Sequence, residues 1–254
     1  MRTDLPQTIY LKDYQQPAFF AKHCDLTFKI HDGYTRVTSQ TQYEKNDNVD
    51  NFTLHLNGEH QELVFIEIDG VKIENNAYEL SDTELKISVE KHAFTLTIET
   101  EISPESNTAL EGLYKSGDTY CTQCEAEGFR RITYYQDRPD NMATFTTRIE
   151  ADKTKYPVLL SNGNLTDSGL LEDGRHFTVW DDPWKKPCYL FALVAGNLEH
   201  IEDKFTTASG REVTLRIYVR DGDQGQCSHA MESLIHSMKW DEEKYGREYD
   251  LDLF

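Results

Sequence analysis

Apolar and polar side chains alternate along most of the first two hundred residues, the period of a strand with one face buried. Phe52, Leu54 and Leu56 alternate up to an Asn57-Gly58 pair, and a denser apolar run from Leu63 to Ile68 meets Asp69-Gly70. Leu85, Ile87 and Val89 then face Phe94, Leu96 and Ile98 across a short polar connection. Further strand-and-turn units run from Tyr156 to Leu160 before Asn162-Gly163, and from His176 to Trp180 after Asp173-Gly174. These units read as hairpins, and no helical period interrupts them before about residue 225. Strands arriving this often must each bury a face against another layer, so the pattern predicts an all-β, antiparallel multi-sheet sandwich.

The end of the chain follows a different rule. Val213, Leu215, Ile217 and Val219 form one more alternating strand, and after the loop DGDQGQ a helical period starts with Met231, Leu234, Ile235 and Met238. Ser228 is the expected N-cap and Gly246 the expected stop, giving strands plus a helix at about 228–245. The last residues, YDLDLF, read as a strand cut off in mid-course, and the backbone of such a strand needs partners, so the pattern predicts a truncated chain. No repeat, low-complexity tract or Pro/Gly-rich linker marks a flexible joint.

Composition narrows the classes. With 254 residues the chain can build proper hydrophobic cores. Its formal charge of −19, from 26 basic and 45 acidic residues, argues against nucleic acid and against an anionic membrane surface as partners. An acidic surface favours cationic ligands instead, and a free peptide N-terminus is one. No apolar run approaches the roughly 20 residues of a membrane span, and the opening MRTDLPQTIYLKDY lacks the apolar core of a secretion signal. Five cysteines (Cys24, Cys121, Cys124, Cys188, Cys227) at irregular spacing read as free thiols in a reducing compartment, so a soluble, cytoplasmic protein is expected.

Few residues carry a chemical signature. Cys121 and Cys124 have the spacing of a zinc ribbon or a redox pair, but there is no second ligand pair and no helix-opening context, which leaves ordinary thiols as the simpler reading. His229 and His236 share a helix face without a third ligand, and no His-Glu-x-x-His, Gly-x-Ser-x-Gly or phosphate-binding glycine loop occurs. The run YCTQCEAEGFRRITYY, from Tyr120 to Tyr135, is richer. In an extended conformation Gln123, Glu125 and Glu127 point to one side, and an amide beside carboxylates suits a primary ammonium group. Equally, Glu125 and Glu127 could pair with Arg130 and Arg131 on a solvated face.

The stretch NTALEGLYKSGDTYCTQCEAEGFRRITYYQDRPD, residues 107–140, resembles the N-terminal region of the bacterial aminopeptidase N family, the gluzincin-type zinc alanyl aminopeptidases. KYPVLLSNGN (155–164) and KPCYLFALVAGNLE (186–199) agree with it, and so do the beginning, DYQQPAFFAKHCDLTF, and the end, SMKWDEEKYGREYDLDLF. The resemblance implies a β saddle over residues 1–196, followed at 197–254 by a small α+β segment that begins a thermolysin-like catalytic domain. It implies that Gln123 and Glu125 bind the substrate's α-amino group, with Glu125 anchoring the peptide N-terminus. It further implies zinc in the full-length enzyme, held by residues of a catalytic domain absent here, and a chain that binds no metal and is inactive alone. The alternative is a stand-alone β-rich binding or scaffold protein derived from such an enzyme.

Overall fold

The computed structural model describes residues 8 and 10–254; the opening MRTDLPQTIYLKDY, which lacks the apolar core of a secretion signal, lies largely outside the described residues. The strands of the first half are β1 Phe19–Ile30, β2 Thr35–Lys45, β3 Thr53–Asn57, β4 Glu62–Ile68, β5 Val71–Lys72, β6 Tyr78–Leu80, β7 Glu84–Ser88 and β8 Ala93–Ile102. Those of the second half are β9 Gly112–Ser116, β10 Thr119–Gln123, β11 Met142–Asp152, β12 Val158–Ser161, β13 Asn164–Leu170, β14 Arg175–Pro187, β15 Leu193–Gly196, β16 Glu199–Thr206 and β17 Glu212–Val219. One α-helix, α1 at Ser228–Tyr245, follows.

Eight strands form a large sheet in the order β13-β14-β11-β1-β2-β8-β4-β5, and smaller sheets are β12-β15-β10-β9, β3-β7-β6 and β16-β17. The fold is therefore all-β and multi-sheet up to α1, as the alternation predicts. Strand β2 shows why: Val37 and Tyr43 alternate inward with Thr35, Ser39 and Thr41, while their neighbours reach the surface. The large sheet is antiparallel except at its middle, where β1 runs parallel to β11, pairing His23 with Thr144 and Lys29 with Glu150.

Pairing departs from the expected hairpins. The Asp-Gly pairs at 69–70 and 173–174 do close hairpins: Asp69-Gly70 joins β4 to β5 as a two-residue turn with both φ positive, and Asp173-Gly174, also at positive φ, ends a four-residue connection with a 3-10 turn between β13 and β14. The Asn-Gly pairs instead pass the chain from one sheet to another. Gly58 keeps an ordinary φ, and glycine is needed there because a Cβ would stand 2.2 Å from the Tyr134 ring. Leu85, Ile87 and Val89 do not face Phe94, Leu96 and Ile98 across a hairpin: β7 pairs with β3 and β6, and β8 with β2 and β4. Alternation sets which face of a strand is buried against another layer, but not which neighbour its edges pair with.

Two apolar cores result. The larger one lies between the large sheet and the smaller ones and contains the aromatic cluster Phe28, Phe129, Tyr135, Phe145 and Phe191. The smaller one joins Phe205, Val213 and Leu215 of the β16–β17 hairpin to Met231 and Met238 of α1. Helix α1 begins at Ser228 after a 3-10 turn over Gln224–Gln226, so Cys227 rather than Ser228 holds the cap position, with no side-chain cap. Gly246 ends the helix in the left-handed region, φ 63°, where a glycine carries no Cβ penalty. The final YDLDLF contributes a single parallel bridge, Leu253 with Thr214, rather than a full strand.

Candidate functional site

Strand β10 lies inside its sheet between β9 and β15, and its last residue, Gln123, pairs with Gly112 of β9. The extended backbone stops there. Residues 125–128 form a turn in which the Gly128 N–H donates to the Cys124 carbonyl at 2.8 Å and the Glu125–Ala126 peptide is cis. The expected single face of Gln123, Glu125 and Glu127 is thus not formed. The reason is the next anchor: Phe129 is fully buried among Tyr135, Phe145 and Phe191, and the chain must fold back to deliver it there.

The turn brings Gln123 and Glu125 together in another way. The Gln123 Nε2 donates to the Glu125 carbonyl at 3.1 Å, which occupies the donor end of the amide and leaves Oε1 as an acceptor. The Glu125 side chain is exposed and forms no ion pair with any described residue. The end of β10 and the turn that follows it thus offer an amide oxygen and a carboxylate without an ion-pair partner among the described residues, acceptors that suit a primary ammonium.

The pairing of both glutamates with Arg130 and Arg131 is realised only for Glu127, 3.5 Å from Arg130. Arg130 instead concentrates on Asp137: its backbone N–H and Nε both donate to Oδ2, at 3.1 and 3.0 Å, and Nη2 donates to the Asp137 carbonyl at 3.2 Å. Arg131 turns to Glu59, at 3.5 Å, and to Glu111, at 3.1 Å, the latter without hydrogen-bond alignment. Asp137, Glu59 and Glu111 carry no sequence signal of this role. Beyond the loop, Ile132 and Thr133 rest on the large sheet: the Thr100 hydroxyl donates to the Ile132 carbonyl at 3.0 Å, and the Ser39 and Thr133 hydroxyls bond at 3.1 Å.

The cysteines behave as separate thiols. Cys121 is half-buried and the other four are buried, all of them free. The Cys188 thiol donates to Asp137 Oδ1 at 3.1 Å, and burial followed by the Asp137 charge pushes its pKa up. Cys124 is raised for the same two reasons, and burial pushes Cys24 up to about 12 despite a hydrogen bond from Thr41. His229 and His236 are exposed on α1. Among the described residues no group of three or more His, Cys, Asp or Glu side chains is arranged to hold a metal ion, and no helix is long and apolar enough to cross a membrane.

Comparison with known proteins adds the remaining information. Residues 21–190 match the sequence profile of the Peptidase M1 N-terminal domain. Over 254 residues the chain is 51% identical to aminopeptidase N of Caulobacter vibrioides, and over 252 residues 52% identical to that of Escherichia coli. These alignments take in 100% and 99% of the chain but 29% of each relative, so the chain spans under a third of their length. Legionella pneumophila aminopeptidase A, solved in complex with aspartic acid, superposes with a TM-score of 0.90 at 36% identity, over 96% of this chain and 29% of that one. An M1 zinc metallopeptidase mutant from Deinococcus radiodurans, bound to a Tyr-Ser-Ala substrate, shares the fold at TM-score 0.78 and 14% identity, over 93% of this chain and 56% of that one.

Proposed function

Since the chain belongs to the Peptidase M1 N-terminal domain family, we propose that it supplies the amine-anchoring wall of an aminopeptidase, receiving the free N-terminus of a peptide on Glu125 and Gln123. One observation carries this reading: Glu125 presents an exposed carboxylate with no ion-pair partner among the described residues, while the donor end of Gln123 is tied to the Glu125 backbone. An ammonium group has three donors. The Glu125 oxygens and the Gln123 Oε1 accept them, and the anchored N-terminus then limits cleavage to the first peptide bond.

We assign residues 1–196 to the β domain and residues 197–254 to the start of a second, thermolysin-like unit, a division supported by two apolar cores, with Leu253 of the second segment packing back against the first. Zinc is the metal named for M1 relatives. The donor groups of the described residues do not fit it, so the reading assigns the metal and the hydrolytic step to the longer polypeptide that these relatives represent. A cytoplasmic location, supported by five free thiols, belongs to the same proposal.

The test is Glu125→Ala in the full-length enzyme, with Glu125→Gln beside it. Loss of a charge-assisted contact to the ammonium should lower kcat/KM for free-amine substrates by about 100- to 1000-fold, and the glutamine variant should recover only part of it. A kcat/KM within about threefold of the parent would remove Glu125 from this role.

A further inference from the structure

Three hydrogen bonds from one residue onto one buried aspartate lie beneath the turn that carries Glu125. Resting on the reading that Glu125 receives the substrate's ammonium group, we propose that Arg130, locked onto Asp137, is the positioning residue that holds in place the turn from which Glu125 makes that contact.

The Asp137 side chain is only 2% exposed, so its charge depends on partners inside the protein. Arg130 provides the main ones, through its backbone N–H, Nε and Nη2. The planar fork of an arginine suits this arrangement, because Nε and Nη2 reach the Asp137 carboxylate and carbonyl together while Nη1 lies between the carboxylates of Glu127, at 3.5 Å, and Glu59, at 3.9 Å. Asp137 is in turn fixed to the frame: its N–H donates to Asn57 Oδ1 at 3.3 Å, and its Oδ1 accepts the Cys188 thiol. Asn57 ends β3, and its backbone exchanges hydrogen bonds with Tyr135. Arg130 thus inherits its position from β3 and from the segment 135–137.

The other end of the guanidinium faces the turn. Nη1 lies 3.5 Å from the Glu127 carboxylate, two residues from Glu125. Glu127 is thereby engaged, and the turn presents one uncompensated carboxylate to an incoming ammonium instead of two. The backbone is held as well, since Phe129 is buried and the Gly128 N–H closes the turn onto Cys124. Arg130 is the side chain that links this turn to Asp137.

A double-mutant cycle in the full-length enzyme separates positioning from plain support of the fold. Arg130→Gln should lower kcat/KM for a free-amine substrate about tenfold or more when Glu125 is present, and less than about twofold in the Glu125→Ala background, because a misplaced group loses value only if it is there to be misplaced. Arg130→Lys retains a charge near Asp137 and serves if the glutamine variant does not fold; about a fivefold loss is expected, again vanishing with Glu125→Ala. Equal losses in both backgrounds, combined with a large effect of Glu125→Ala alone, would overturn the positioning role and leave the amine anchor intact. A negligible effect of Glu125→Ala would overturn the anchor itself, and the positioning role with it.

Discussion

Replacing Gly128 by alanine should cost the chain stability in an amount set by three backbone contacts. Gly128 has φ −85° and ψ −20°, a conformation any L residue adopts, so the penalty is steric and not conformational. A Cβ there would lie 2.3 Å from the Gln123 carbonyl oxygen, 2.9 Å from the Gly112 nitrogen and 3.0 Å from the Cys124 Cα. Comfortable separation is roughly 3.5 Å, so the turn and the β9–β10 sheet must part by about 1 Å, and no flexible side chain can absorb the strain. Overpacking of this kind costs about 1–3 kcal/mol, and rigid contacts on three sides put Gly128→Ala near the upper end. At about 2–4 °C per kcal/mol for a chain of this size, Tm should fall by about 6–12 °C. Buried Trp180 reports on the main core by fluorescence during thermal or urea unfolding. Gly225→Ala is the control, because nothing lies within 4 Å of that Cβ and its φ is ordinary, and it should change stability by less than about 0.5 kcal/mol. If the two variants melt alike, the close approach of Gly128 to Gln123 and Gly112 is not a feature of the folded protein.

Two further outcomes follow from the thiols and from the metal chemistry. Burial raises Cys24 from 9.0 to about 12, so between those pH values the unfolded chain has lost a proton that the folded chain retains; stability should therefore fall as pH rises from about 9 toward 12. Cys24→Ala should flatten that fall in urea titrations, and an unchanged slope would deny Cys24 its part in it. The 254-residue chain purified alone should show no aminopeptidase turnover and no stoichiometric zinc after metal loading, and zinc-dependent hydrolysis of an aminoacyl substrate would contradict the assignment of chemistry to the longer polypeptide.

Much of the architecture is legible in the alternation of side chains, because a strand with one buried face writes its period into the sequence. Partner choice is not written there. Asp69-Gly70 and Asp173-Gly174 close hairpins, whereas Asn57-Gly58 and Asn162-Gly163 hand the chain to another sheet, although Asp-Gly and Asn-Gly are equally strong hairpin-turn signals. At the candidate site, Gln123 and Glu125 are singled out in the sequence by their chemistry and by family resemblance, but the extended geometry expected of them gives way to a turn. The cause is long-range: Phe129 is drawn into a ring cluster completed by Phe145 and Phe191, residues that a reading of positions 120–135 does not weigh. Asp137 escapes for a similar reason, since only the fold places it beneath Arg130 and beside Cys188.

The parallel seam between β1 and β11 has a consequence for how the chain reaches its native state. It joins residues some 120 positions apart, as in the bond from the Ala21 N–H to Asn141 Oδ1. Parallel strands cannot be linked by a tight turn, and the loop entropy of so distant a contact must be met before pairing rewards it, which favours forming the seam after the local hairpins. At ribosomal speeds of about 5–20 residues per second, β1 waits roughly 6–25 seconds for β11 to emerge. Throughout that interval one long edge of β1, including buried Phe28 and Ile30, stays open to other chains. The open edge of β1 is therefore available to other chains for longer during synthesis than an edge that a hairpin closes at once.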